Sequence, residues 1–440
     1  MNIFDTIEDT TSWNKIQPRS SQNQTANALI VALTARFTAG FIVLCSLILL
    51  CWFSVTRLPI ICQSLAEVSC QALSLRSSSV SESNPTHPFR STSFVKLSSV
   101  QDEDASRVPE KSLEQQWQEY LISPIKDSQR QAVLDSLTQA ERNDMDTTIA
   151  KSPDTIDAIA AQIYLQRLCE MGPRISGSKS MKVQQQGLRL FFEGMGATVA
   201  SQSFTIPHPE TRKSVELVNL IVQLHPEKKN RILFCCHYDT RPYADQDPKN
   251  PRASLPGAND GASGVGLFMV LAPHLQKIDQ RLGIDLVFFD AEELVYDRSR
   301  DALFLGSIHF ANQYVRSAPD YRYQAGVLID MIADKTLELY YEKNSLNAAG
   351  PLTKSVWNKA RQLKVAEFVA KPLHQVRDDH LALNEIAKIP TTDLIDFDYP
   401  AINSSTSYWH TTQDTPDKCS PVSMAKVGVV LLEWAKDYTK

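Results

Sequence analysis

From residue 154 onward, the apolar positions keep to one of two rhythms. In "TIDAIAAQIYLQRLCEMG", Ile156, Ile159, Ile163 and Leu168 recur at the spacing of one helix face, and Gly172 supplies a stop signal. "SMKVQQQGLRLFFEGMG" repeats that rhythm up to Gly196, and "GASGVGLFMVLAPHLQKI" predicts a third helix. "TVASQSFTI" and "SVELVNLIVQL" alternate like strands. "RILFCCHYD", "GIDLVFFD", "AGVLIDMIAD" and "IPTTDLIDFD" are short apolar runs that end in polar residues, as strands buried on both faces do. Strands alternating with helices predict an α/β fold with a mixed, mainly parallel central sheet covered by helices on both faces.

The polar ends of those runs carry the chemistry. Four of them finish in acids or histidine: His237 with Asp239, Asp290 with Glu292 and Glu293, Asp330, and Asp393 with Asp396. Ligands bind beyond the carboxyl ends of the strands in such sheets. Clustered carboxylates repel one another, and a bound cation is the usual remedy. The adjacent pair Glu292–Glu293 is the sharpest case. Neighbours on an extended chain point to opposite sides, so one carboxylate can hold a metal while the other moves a proton.

The first 110 residues follow neither rhythm. "FTAGFIVLCSLILLCWFSV", residues 37–55, holds no charged residue and is long enough to cross a hydrocarbon core of roughly 30 Å. The expectation is a single-pass anchor after a tail at 1–36, with the catalytic domain on the extracytoplasmic side, the bias of flanking basic residues slightly favouring an inside N-terminus. Residues 56–110 are Ser-rich with little aliphatic content and predict a flexible linker. Residues 111–153 have helical character and predict a helical segment beside the catalytic domain at 154–440.

Composition narrows the partners. The formal net charge is -5 and no long basic run occurs, which argues against nucleic acid. The eight cysteines are scattered without zinc-finger or C-x-x-C spacing, and most read as small buried hydrophobes.

The candidate metal ligands are His237 in "CCHYDT", Asp260 in "PGANDGASG", Glu293 in "AEEL", Asp330 in "LIDMI" and His410 in "YWHTTQDTPD". Histidine with carboxylate is ordinary zinc chemistry. Five ligands suit two metals, or one metal with a second position vacated. "GASGVG" lacks the lysine of a Walker loop and the order of a dinucleotide fingerprint. No G-x-S-x-G or H-E-x-x-H occurs, so neither a serine hydrolase nor a helix-borne zinc protease has support.

Taken together, "HYDT…PGANDGASGVG…FFDAEE…LIDMI…WHTTQDTPD" resembles the zinc-dependent aminopeptidase superfamily of the leucyl-aminopeptidase (M28-like) type, across roughly residues 154–440. Two features resemble its glutaminyl-peptide cyclotransferase branch: Asp378, Asp379 and His380 in "RDDHLAL", and Trp409 directly before His410. The chain departs from the animal cyclotransferases in carrying Asp393 where they have a histidine. Its "HYDTRPYADQDP" loop looks closer to the peptidases.

The resemblance implies one zinc, with two possible, held by Asp260, Glu293 and His410. Glu292 would be the acid/base, Asp330 and Asp378 its hydrogen-bonding neighbours, and Trp409 an apolar wall for substrate. The implied substrate is a peptide with a free N-terminal glutamine. Two other readings stay open. An aminopeptidase would use His237 and Asp330 for a second metal, with Asp260 bridging and Glu292 activating water. A non-catalytic peptide-binding ectodomain would keep the fold alone.

Overall fold

The computed structural model describes residues 111–278 and 281–438. The expected tail at 1–36, anchor at 37–55 and linker at 56–110 lie outside the described residues. Among the described residues, no helix is long and apolar enough to cross a membrane.

Three helices come first: α1 (Leu113–Ile122), α2 (Asp127–Asp135) and α3 (Gln139–Ile149). Ser112 and Thr138 close capping boxes with Gln115 and Glu141, which fixes where α1 and α3 begin. There follow α4 (Ala158–Glu170), α5 (Lys179–Gly194), β1 (Thr198–Pro207), β2 (Ser214–Leu224) and β3 (Asn230–His237). The second half adds α6 (Ser263–Leu275), β4 (Gly283–Phe289), α7 (Leu305–Ser317), β5 (Arg322–Asp330), β6 (Leu339–Tyr341), α8 (Lys343–Gln362), β7 (Phe368–Pro372), α9 (His380–Glu385), β8 (Thr391–Ile395) and α10 (Pro421–Tyr438).

The main sheet has six strands in the order β1-β2-β4-β3-β5-β8. β1 and β2 run antiparallel to their neighbours, while β4, β3, β5 and β8 are parallel. The sheet is therefore mixed and mostly parallel. Its central strands are mostly apolar because both faces are covered, and alternation along β3 shows how. Ile232, Phe234 and Cys236 join one core with Leu165, Phe268 and Val430 of α4, α6 and α10. Leu233 and Cys235 join another with Phe310 and Leu383 of α7 and α9.

The segment 111–153, expected beside the catalytic domain, shares its core. Leu121 of α1 is buried in the main cluster. A Cβ at Gly187 of α5 would meet Leu121 Cδ2 at 2.8 Å, so the close approach of α1 depends on that glycine. Val133, Leu137 and Met145 pack with Ile159, Val422 and Ala425. This packing runs across residue 154, so α1–α3 share the core of the described residues. Their polar outer faces dilute these few buried positions in the sequence.

Strand register positions the site. Cys235 pairs with Leu328 in the parallel β3–β5 ladder. Two residues further along each strand, on the same face, lie His237 and Asp330. His237 is level with Phe289 of β4, so Asp290 to Glu293 emerge beside it.

Candidate metal centre

Five side chains converge at these strand ends as two trios that share one residue. His237, Asp260 and Asp330 form the first, and Asp260, Glu293 and His410 the second, with the ligand atoms of each trio within 4.8 Å of one another. Asp260 turns one oxygen to each side. Its Oδ1 lies 3.2 Å from His237 Nε2, and its Oδ2 lies 3.4 Å from His410 Nε2. His237 Nε2 is 3.1 Å from Asp330 Oδ1, and His410 Nε2 is 3.2 Å from Glu293 Oε1. Ligand atoms around a tetrahedral zinc with bonds of about 2.0–2.1 Å stand about 3.4 Å apart, so both trios match the ion's size. Asp260 Oδ2 is buried without a hydrogen-bond partner, as a ligand awaiting a cation would be. The residues fit zinc.

The backbone is bent to achieve this. Ala291, Met331 and His410 all adopt positive φ, at 57°, 51° and 54°. These are costly conformations for residues with a Cβ, and they cluster where a site over-determines them. Each is a ligand or borders a site acid. Gly261, at φ 104°, follows Asp260, and a Cβ there would meet the Asp239 carbonyl oxygen at 2.6 Å. The divergence of Glu292 from Glu293 has a different origin from the strand pleat expected from sequence. Both residues lie on a turn beyond β4. The buried Asp239 accepts the Glu292 N–H at 3.2 Å and the Glu293 N–H at 3.0 Å.

Other buried acids hold the remaining parts. Asp414 accepts the backbone N–H groups of Asn259 at 2.8 Å and Asp260 at 3.2 Å, and the Tyr399 hydroxyl at 3.0 Å. Arg174 donates to the Gly257 carbonyl at 2.6 Å, bracing the same loop from behind. Asp245 Oδ1 lies 3.3 Å from His410 Nδ1, and Arg298 Nη2 lies 2.6 Å from that nitrogen. Arg241 reaches both Glu293 Oε1 at 2.9 Å and Asp245 Oδ2 at 3.0 Å. Asp239 stands with His237 among the acids that the sequence places at strand exits, two residues on and so facing the same side; Asp245 and Asp414 have no such signal.

Glu292 belongs to neither trio. Its Oε2 is 3.9 Å from His237 Nδ1, and its side chain is 12% exposed against 5% for Glu293. Burial, and then the charge of Glu293, raises the Glu292 carboxyl well above its ordinary range; Asp378 and Asp379 add to this. Glu293 goes the other way. Burial pushes it up, but His410 and Arg241 outweigh burial and hold it below the usual carboxylate range. Asp378 and Asp379 are both buried, and the Asp379 N–H donates to Asp378 Oδ1 at 2.5 Å. Behind them His380 lies between Glu342 at 3.2 Å and Asp393 at 3.6 Å. Trp409 stacks on His410 with ring centroids 3.8 Å apart.

The family model for peptidase family M28 matches residues 219–435. Among solved structures, a glutaminyl cyclase of Fimbriiglobus ruber is 40% identical with a TM-score of 0.61, over 65% of this chain and 96% of that one. A Zn-dependent exopeptidase of Parabacteroides distasonis is 31% identical with a TM-score of 0.60, over 65% of this chain and 99% of that one. A glutaminyl-peptide cyclotransferase of Drosophila melanogaster is 20% identical over 288 residues, covering 60% of this chain and 77% of the relative. Identity of 40% along 96% of a relative's length means shared descent, and the chain therefore belongs to peptidase family M28.

Proposed function

We propose that this M28-type enzyme is a zinc-dependent glutaminyl-peptide cyclotransferase, converting the N-terminal glutamine of peptides to pyroglutamate with release of ammonia. The observation that carries the reading is Glu292, a raised carboxyl left free beside a complete ligand trio. The match to the Fimbriiglobus glutaminyl cyclase supports it. Asp260, Glu293 and His410 would hold the zinc, which when bound supplies Lewis-acid polarisation of the side-chain amide carbonyl. Glu292 accepts a proton from the α-amine as its nitrogen forms a bond to the amide carbon. The same carboxyl returns the proton to the departing nitrogen as the old carbon–nitrogen bond breaks, and ammonia leaves. A carboxyl raised toward neutrality suits both halves of that exchange. Glu293, Asp378 and Asp379 surround Glu292 with negative charge that favours its protonated form, and Asp330 holds His237 beside it. Trp409, fixed by its stack on His410, offers an apolar wall to the five-membered ring. Both reactants belong to one residue, so orientation and charge stabilisation supply most of the catalysis.

The intact second trio favours one other reading. His237 and Asp330 with a bridging Asp260 suit a two-zinc aminopeptidase in which Glu292 activates water. Purified full-length protein incubated with a glutamine-led and a leucine-led peptide separates the two by mass. Loss of ammonia from the first alone is the expected result. Loss of whole N-terminal residues makes it an aminopeptidase.

We also propose that residues 37–55 anchor the chain in a membrane with the catalytic domain on the extracytoplasmic side. Protease added to intact cells should then degrade the catalytic domain; protection until lysis overturns that topology.

A further inference from the structure

The rim of the metal centre carries a charge arrangement that the proposed reaction does not use. Arg241 and Arg298 both bind Asp245, at 3.0 and 2.7 Å. Glu293, the other carboxylate on Arg241, is committed to the metal trio. Asp245 is therefore left to offset two guanidiniums. Arg241 is buried, but the Arg298 side chain is 43% exposed, so the surplus positive charge faces solvent at Arg298.

Arg298 is also held in place. Its guanidinium carbon lies 5.0 Å from the Trp409 ring centroid, and its Nε donates to Asp245 Oδ2 at 2.7 Å. Its own loop is wound tightly around it. Tyr296 N and Asp297 N both donate to Asp301 Oδ2, at 3.0 and 2.9 Å, and Ser299 N donates to Asp297 Oδ1 at 2.9 Å. A guanidinium fixed in advance loses little entropy when a carboxylate pairs with it. Because Arg298 lies over Trp409, the wall proposed for the first residue, its guanidinium is within reach of the side chain that follows.

We propose that Arg298 is a specificity-determining residue that selects an acidic side chain directly after the substrate's N-terminal residue. The inference rests on the cyclotransferase reading for its substrate, and the experiment separates the two. Full-length protein is assayed for kcat/KM of ammonia release with Gln-Glu-Ala-amide and Gln-Lys-Ala-amide at low salt. The expected preference for the glutamate peptide is about fivefold, the size of a half-exposed ion pair, and it shrinks in high salt. Because the ratio is taken within each variant, a general loss of activity does not disturb it. Arg298→Lys should retain the preference, Arg298→Gln should bring the ratio near one, and Arg298→Glu should invert it. Equal rates in the unaltered protein, or an unchanged ratio in Arg298→Gln, overturn the proposal. No ammonia from either peptide sinks the cyclotransferase reading alone. The ratio is then read from leucine release by Leu-Glu-Ala-amide and Leu-Lys-Ala-amide, and from calorimetric titration of the same pair where nothing turns over. Equal values there overturn the Arg298 assignment.

Discussion

The two trios share Asp260 and differ in nearly everything around it. On the His410 side, each ligand has a partner of opposite charge or a fixed orientation. Arg241 sits on Glu293 and Asp245 on His410, and the Glu293 carboxyl is held low despite its burial. On the His237 side, the neighbours are further acids. Burial raises the Asp330 carboxyl against the pull of His237, and Asp378, Asp379 and Asp393 crowd behind it with their carboxyls raised too. The Asp330 side chain is also more open, 13% exposed against 5% for Glu293. One side is charge-compensated; the other gathers raised carboxyls. The one-zinc reading proposed above turns on that asymmetry.

The largest expected effect tests the division of labour between the adjacent glutamates. Glu292→Gln removes the proton carrier while keeping its shape, and turnover should fall by about 10³-fold or more. Zinc content by atomic absorption should stay unchanged. Loss of zinc together with activity would mean that Glu292 is a ligand after all.

Next comes the asymmetry itself. His410→Ala should abolish stoichiometric zinc in dialysed protein, whereas His237→Ala should keep it, with activity reduced through the neighbourhood of Glu292. If both variants lose the same zinc, the two sides are equivalent and the comparison fails. A smaller effect is expected one step further out. Asp245→Asn leaves His410 in place but weakens what orients its ring, and zinc affinity against a fluorescent chelator should drop about 10–100-fold. An unchanged affinity would show that Asp245 does not position His410.

Much of this was legible in the sequence, for reasons that mark its limits. The four buried strands announced themselves because both faces are apolar, and their polar ends marked the site. All five candidate ligands stand in recognisable local patterns. Asp239, Asp245 and Asp414 act through contacts that have no local pattern. Asp239 meets the glutamate turn from a strand exit more than fifty residues earlier in the chain, and Asp414 meets the Asp260 loop from beyond His410. Spacing can suggest a ligand, whereas the residue that aims it appears only when strands pair. The same holds for α1, whose place in the core rests on one leucine over one glycine.

The smallest effect tests the crowded side without any metal. Burial, against the pull of His237, raises the Asp379 carboxyl to about 7. In the unfolded chain it returns to the ordinary value near 4. Between those values the folded state binds more protons than the unfolded state, so stability falls as pH rises. The contribution is fully present below about pH 4 and is lost through pH 7. A shift of three units in isolation corresponds to about 4 kcal/mol, but Asp330, Asp378 and Asp393 compete for the same protons, and about 1–2 kcal/mol is the share to expect. Asp379→Asn, compared with the unaltered chain in chelator, should therefore be more stable by that amount at pH 8 and nearly equal at pH 4, by urea unfolding. Equal stability at both pH values would show that the His237 side carries no stored charge repulsion. Only the exposure of Asp330 would then distinguish it from the His410 side.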